Sequence, residues 1–426
     1  MYGIIINIKQ QKNNLISGYM MAGRKKAKKW LRFRHRVVRN LAYIVLYPYA
    51  RIKYGITVEK FKEQKKTPYL ILLNHQTPFD QFFVGMSVKG PVYYLATEDI
   101  FSLGWLSSVI RYLVAPIPIR KQTTDVKAVK QCIRVAREGG TICIAPEGNR
   151  TYSGRTEYMN DAIAPLARML KLPIALYRIE GGYGTEPRWS DVVRKGKMRS
   201  YVSRVIEPDE YKNMTDEELF KIIKDGLFVD DAVADCEFYH KNRAEYLERA
   251  MYVCPFCGLS KFESSGSVCE CKNCGIQFEY KPSKEIKGIN CEFPFRFVAD
   301  WYDYQKDFIN KLDINQYTTA PIYHDEAAVF EVIINKKKVP FKTNAQISLY
   351  GDRVVFDEGE HSEIKLDFNK IAAVTVLGRN KLNIYCGDKV YQLKGDKRFN
   401  ALKYVHIYYR HKNVVKGEEN GKFLGL

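Results

Sequence analysis

From residue 68 to about residue 206, short apolar runs alternate with helical patterns, the rhythm of a βαβ protein. Strands are expected at Tyr69–Leu73, Val92–Ala96, Ala115–Ile119, Thr141–Ala145 and Pro173–Ile179. Residues 124–138 place Val126, Val129, Ile133 and Ala136 on one helical face, with Thr123 or Thr124 as N-cap and Gly139-Gly140 as the stop. Thr215 and Glu218 form a capping-box pattern that opens a helix through Phe228, and residues 232–251 read as another helix. From about residue 327 the period becomes two. Strands are expected at Phe330–Ile334, Ile347–Leu349, Val354–Phe356, Ile364–Phe368, Ala372–Leu377, Leu382–Tyr385 and Val390–Leu393. Turns at Gly351-Asp352, Gly387-Asp388 and Gly395-Asp396 separate several of them, and a helix over Arg398–His411 closes the chain. Near the N-terminus Phe33, Val37, Leu41, Ile44 and Pro48 recur every three or four residues, one face of a helix.

Charge changes the reading of that first helix. The 426 residues carry a formal charge of +20, yet residues 1–58 hold thirteen Lys/Arg and no acid, which leaves +7 on the remaining 368. A uniformly basic nucleic-acid binder is excluded, and nucleic acid is not the expected partner. Residues 24–39 concentrate nine of these cations around Trp30, Leu31 and Phe33. A basic amphipathic helix with aromatic anchors suits a membrane interface; a solvated basic arm is the plainer alternative. The longest apolar run, Leu41–Ala50, has ten residues and contains Pro48, too short to span a bilayer. The expected location is the cytoplasmic face of a membrane, held peripherally or monotopically. Apolar residues at 46% and charged residues at 27% describe a folding chain whose length suits two to four domains.

Of the ten cysteines, six lie between Cys254 and Cys291. Cys254-Pro-Phe-Cys257-Gly and Cys271-Lys-Asn-Cys274-Gly stand thirteen residues apart, two knuckles that together offer four thiolates to a tetrahedral structural zinc. Such a site is closed and not catalytic. Cys269 competes with Cys271 on spacing alone, and the remaining cysteines read as reduced thiols.

The candidate chemistry sits at strand ends. After Leu73 comes Asn74-His75-Gln76-Thr77-Pro78-Phe79-Asp80, and a histidine at a strand's carboxyl end lies where open α/β sheets bind ligands. Thr77 as N-cap with Pro78 first in the helix aims Asp80 back towards His75, so the carboxylate can orient the ring as a base. The same Thr-x-x-Asp spacing is also an ordinary helix cap. Two further strand ends deliver arginines, at Pro118-Ile119-Arg120 and Pro146-Glu147-Gly148-Asn149-Arg150, a pairing suited to phosphate or carboxylate. The segment Glu180–Trp189, with three glycines and two aromatics, is either a substrate-shaping loop or a plain connection.

These blocks together resemble the lysophospholipid and glycerol-phosphate acyltransferase family over about residues 40–210. Asn74, His75 and Asp80 match its N-H-x-x-x-x-D block; Arg120 matches the second; Glu147, Gly148, Asn149 and Arg150 match the third, usually P-E-G-T-R, with Asn149 in place of threonine; Leu172-Pro173-Ile174 matches the fourth. The resemblance implies an α/β central sheet flanked by helices, with His75 as base and Asp80 as its orienter. It places the acceptor site at Asn74, Arg120, Glu147, Gly148, Asn149 and Arg150, with acyl-CoA or acyl carrier protein as donor and a membrane lysophospholipid as acceptor. The product implied is phosphatidic acid; the alternative is a catalytically silent lipid-binding adaptor. The expected organisation is a basic membrane segment (1–60), an acyltransferase domain (61–250), a zinc ribbon (251–282) that can also contact protein, a linker (283–322) and a pleckstrin-homology-like β domain (323–426).

Overall fold

A computed structural model of the chain describes residues 29–119, 125–233, 236–333 and 336–418. Arg120, the proposed Thr123/Thr124 cap and the start of the basic segment lie outside them.

A 22-residue helix, α1 (Phe33–Tyr54), leads into β1 (Ile56–Val58). The acyltransferase-like half then runs β2 (Leu70–Leu73), α2 (Asp80–Ser87), β3 (Val92–Thr97), α3 (Trp105–Leu113), β4 (Ile117–Ile119), α4 (Val126–Arg137), β5 (Thr141–Ile144), α5 (Ile163–Leu170), β6 (Ile174–Glu180), β7 (Met198–Ile206) and α6 (Asp216–Leu227). The sheet order is β1-β7-β6-β2-β5-β3-β4. β6, β2, β5, β3 and β4 are parallel; β7 runs antiparallel to β6, and β1 pairs in parallel with β7. β2 reads Leu-Ile-Leu-Leu and is buried at every position, as a central parallel strand covered on both faces must be. Each such side chain contributes roughly 1.5–3 kcal/mol on burial.

Local signals were read with mixed success. The capping box of Thr215 and Glu218 opens α6 as expected, through Thr215 Oγ1 and Glu218 Oε2. α4 is capped by Asp125, whose Oδ1 accepts from Lys127 N and Ala128 N at 3.0 Å each. Residues 232–251 do not form the expected helix. Tyr239 instead bridges Lys195 in antiparallel fashion, and a single 3-10 turn covers Leu247–Arg249. Tertiary packing overrides helical pattern here: Phe238 fills the space that Gly184 and Gly196 leave by lacking a Cβ.

The C-terminal half begins with six short strands, β8 (Val253–Cys254), β9 (Gly258–Leu259), β10 (Phe262–Ser265), β11 (Val268–Cys271), β12 (Gln277–Tyr280) and β13 (Ile286–Gly288). After α7 (Val298–Lys311) comes a seven-stranded antiparallel sheet of β14 (Tyr323–Ile333), β15 (Lys337–Leu349), β16 (Arg353–Phe356), β17 (Ile364–Asp367), β18 (Ile371–Leu377), β19 (Lys381–Cys386) and β20 (Lys389–Gly395). The helix α8 (Leu402–Lys416) packs on it with Tyr404, Val405, Ile407 and Tyr408 buried. The region expected to be a linker contains α7, and α7 is core. Trp301 is fully buried, its ring 5.1 Å from Phe262 and 5.2 Å from Phe278, and its Nε1 donates to Val253 O at 2.8 Å. Tyr302, beside it, packs edge-on against His406 of α8. The cysteine ribbon, α7 and the large sheet therefore share one hydrophobic core, which Tyr152 and Trp189 of the first half also join.

Candidate active site

β2 lies between β5 and β6, so the segments leaving the carboxyl ends of these three strands meet at one edge of the sheet. From β2 comes His75. Its Nδ1 stands 2.7 Å from Asp80 Oδ2, and its side chain is 27% exposed against 1% for the aspartate. Asp80 also accepts from Gln76 N (2.7 Å), Thr77 N (2.9 Å) and Thr77 Oγ1 (2.7 Å). α2 starts at Asp80 itself, slightly later than the pattern suggests, and residues 77–79 form the turn before it. Asp80 is the first residue of α2 and not its cap; its carboxylate bonds the preceding turn as well as His75. One carboxylate fixes the turn and the imidazole together.

From β5 comes the Pro146–Arg150 loop. Glu147 is buried and accepts from His75 N at 2.9 Å. Burial, reinforced by Asp80, pushes its carboxyl up to about 8, despite the opposing hydrogen bond from His75. Glu147 therefore holds the turn that carries His75. Gly148 takes φ +71°, a left-handed conformation suited to glycine. Arg150 is only partly exposed, and burial followed by repulsion from Arg188 lowers its pKa to about 10.

Asn149 stands where the family pattern has threonine. Its Oδ1 accepts from Arg188 Nη2 at 3.3 Å, and Arg188 Nη1 donates to Arg150 O at 3.1 Å. Arg188, buried and 4.4 Å above the Tyr152 ring, thereby braces the loop. Pattern reading did not single out Arg188, although it lies in the glycine-rich segment noted above.

From β6 comes that segment, and it is neither a plain connection nor an open loop. Gly182–Thr185 form a helical turn, buried throughout, with Asp231 accepting from Gly181 N (3.0 Å) and Tyr183 N (3.3 Å). A Cβ on Gly182 would come within 2.5 Å of Gln76 Cβ, so the glycine lets this turn pack against the residue following His75.

Asn74 faces the sheet. Expected at the acceptor site, it is fully buried and spends its carboxamide on the sheet: Nδ2 donates to Ile179 O and Oδ1 accepts from Ile179 N, both at 2.8 Å. It clamps β2 to β6 at the strand ends. Arg120 falls outside the described residues.

The four knuckle cysteines converge elsewhere. The Sγ atoms of Cys254, Cys257, Cys271 and Cys274 all lie within 4.8 Å of one another, with Cys254–Cys274 at 3.7 Å and Cys257–Cys271 at 3.6 Å. Four thiolates about 2.3 Å from a central ion stand roughly 3.8 Å apart, so the set fits a tetrahedral metal. Cys269 is buried and lies outside the group.

Two apolar faces stay uncovered. Phe33, Leu41, Ile44, Val45 and Ile52 of α1 are exposed, while its opposite side buries His35, Ala50 and Tyr54. α3 presents Trp105, 78% exposed, with Leu106, Val109 and Tyr112. The two helices touch where Arg34 Nε donates to Tyr112 O at 2.8 Å and the guanidinium stacks 3.9 Å above the Tyr112 ring. Among the described residues, no helix is long and apolar enough to cross a membrane.

Residues 55–177 match the family model described as Acyltransferase, a range holding His75, Asp80 and the Glu147–Arg150 loop. The chain is 23% identical over 195 residues to the chloroplast 1-acyl-sn-glycerol-3-phosphate acyltransferase BAT2 of Brassica napus, covering 45% of this chain and 55% of that one. To the 1-acyl-sn-glycerol-3-phosphate acyltransferase of Bacillus subtilis (strain 168) it is 21% identical over 160 residues, covering 37% of this chain and 77% of that one. The chain spans about half the length of the plant relatives it matches. The crystal structure of the 1-acyl-sn-glycerophosphate acyltransferase PlsC from Thermotoga maritima aligns at a TM-score of 0.37 and 21% identity, covering 50% of this chain and 83% of that one.

Proposed function

We propose that this chain, which carries an acyltransferase-family domain at residues 55–177, is an O-acyltransferase. It moves a fatty acyl group from a thioester to the free hydroxyl of 1-acylglycerol 3-phosphate, giving phosphatidic acid. The observation that carries this reading is the His75 Nδ1–Asp80 Oδ2 bond of 2.7 Å at the ligand-binding edge of the sheet.

With Nδ1–H held by the buried aspartate, Nε2 is the basic nitrogen. It takes the acceptor hydroxyl proton as the oxygen attacks the thioester carbonyl, forming the new C–O bond. Collapse of the tetrahedral intermediate breaks the C–S bond, and His75 returns the proton to the departing thiolate. The proton count closes with no redox cofactor. Arg150 receives the acceptor's phosphate, with Gly148 allowing close backbone approach; Arg120 is the second cation implied by the family pattern. The donor is acyl-CoA or acyl carrier protein.

The exposed faces of α1 and α3 rest on the membrane that holds the acceptor, and flanking lysines and arginines favour anionic lipid. The Cys254, Cys257, Cys271 and Cys274 set holds zinc, which staples the ribbon and takes no part in the reaction.

The test is transfer of a labelled acyl group to lysophosphatidate by purified protein, offered acyl-CoA and acyl carrier protein in turn, beside His75→Ala. Labelled phosphatidic acid from the parent alone supports the assignment; equal product from both proteins ends it.

A further inference from the structure

The turn between β18 and β19 reaches the Pro146–Arg150 loop. Arg188 joins the two: Nε donates to Gly378 O at 3.1 Å and Nη2 to Val376 O at 3.2 Å, while the same guanidinium holds Arg150 O and Asn149 Oδ1. Hairpin and loop are therefore separated by one guanidinium group.

The residue after Gly378 is Arg379. Its Nη2 pairs with buried Glu186, whose other oxygen accepts from Tyr54 OH at 2.7 Å, and its Nη1 lies 3.5 Å from Asp191. Asp191 is already engaged by both terminal nitrogens of Arg249. Of the four guanidinium groups here, Arg249 and Arg379 pair with the carboxylates Asp191 and Glu186, while Arg188 is held by carbonyl and carboxamide oxygens. Among the described residues, no carboxylate pairs with Arg150. Among the described residues, Arg150 Nη1 and Arg379 Nε are buried without an acceptor. Each is a desolvated donor whose cost an acceptor brought into hydrogen-bond reach would relieve. Solvent still reaches part of both side chains, the Arg379 side chain being 29% exposed.

The geometry assigns Arg379, contributed by the C-terminal sheet, as a further anion-binding residue that grips the acceptor's phosphate together with Arg150. The C-terminal half on this account completes the acceptor site, with Glu186 and Tyr54 holding Arg379 in place. This rests on the reading of the acceptor as a phosphate ester.

Binding can be separated from turnover in the full-length His75→Ala protein. Glycerol 3-phosphate titrated calorimetrically should bind, glycerol should not, and adding Arg379→Ala should weaken the phosphate ester about tenfold. Arg379→Lys, which keeps the charge and the Glu186 pair but loses the fork, should fall between and serves where the alanine variant is unstable. In the active protein, Arg379→Ala should raise KM for lysophosphatidate about tenfold with kcat within about twofold, and leave monoacylglycerol turnover unchanged. Equal glycerol 3-phosphate affinity in the Ala, Lys and unsubstituted proteins overturns the assignment, as does an equal loss towards both acceptors. Arg379-dependent binding in a parent that transfers no acyl group would retain the anion site and remove only the acyltransferase reading.

Discussion

Asp80 holds His75 and Thr77 with one carboxylate: Oδ2 lies 2.7 Å from His75 Nδ1, and Oδ1 accepts both the Thr77 amide at 2.9 Å and its hydroxyl at 2.7 Å. Substitution should separate these duties. Asp80→Asn keeps an acceptor for the turn but offers His75 a neutral partner, so acyl transfer should fall on the order of 10²–10⁴-fold. Its stability should fall by only about 1 kcal/mol. Asp80→Ala loses the turn as well and should add about another 1–2 kcal/mol. Activity assays beside urea denaturation check this; equal stability losses in the two variants would deny Asp80 its hold on the turn.

Glu147 supplies a pH signature. Burial raises its pKa to about 8 in the fold, from an ordinary carboxylate value near 4.5 when unfolded. Between those values the folded state binds more protons than the unfolded one. Stability therefore falls as pH rises from about 4.5 to about 8, by on the order of 5 kcal/mol at most from this group. Glu147→Gln can still accept from His75 N and should flatten that slope. Thermal melts of parent and variant at pH 5, 7 and 9, taken as about those values, should converge at the acid end and separate at the alkaline end in favour of Gln. A parent slope unchanged by the substitution would show that Glu147 is ionised throughout.

The cysteine set should bind one zinc per chain, with consequences beyond the ribbon. Phe262 of β10 and Phe278 of β12 both touch Trp301, so loss of the metal should loosen α7 and the large sheet together. Elemental analysis should return about one zinc per chain, falling to near zero in Cys271→Ser/Cys274→Ser. Chelation should lower the unfolding temperature by about 5 °C or more. Full zinc occupancy in the double variant would place the metal elsewhere.

Much of the first half was legible because its chemistry depends on adjacent residues. His75 and Asp80 are five positions apart, and Glu147 to Arg150 are consecutive, so one turn and one loop preserve their relationships. The C-x-x-C knuckles are legible for the same reason. What stayed hidden depends on distant residues: Arg188 reaching Val376 and Gly378, Trp301 seated among ribbon aromatics, and Asn74 clamped to Ile179. A single sequence carries no signal for such pairs. Residues 232–251 failed for the opposite reason, a strong local pattern overridden by Phe238 packing against two remote glycines.

The apolar faces of α1 and α3 give the last test. Ile44 and Trp105 stand exposed on neighbouring helices, with Arg34 joining the two at Tyr112. Apolar insertion and electrostatic attraction should be separable, because only the second is screened by salt. In sedimentation with vesicles of mixed neutral and anionic phospholipid, Ile44→Glu with Trp105→Ala should reduce partitioning by about tenfold or more at every salt concentration. Raising salt should weaken parent binding to anionic vesicles and leave the smaller affinity for neutral ones nearly unchanged. Neither residue packs in the core, so the unfolding temperature should stay within about 2 °C of the parent. Undiminished vesicle binding in the double variant would move the membrane contact to another surface and leave these two faces without a role.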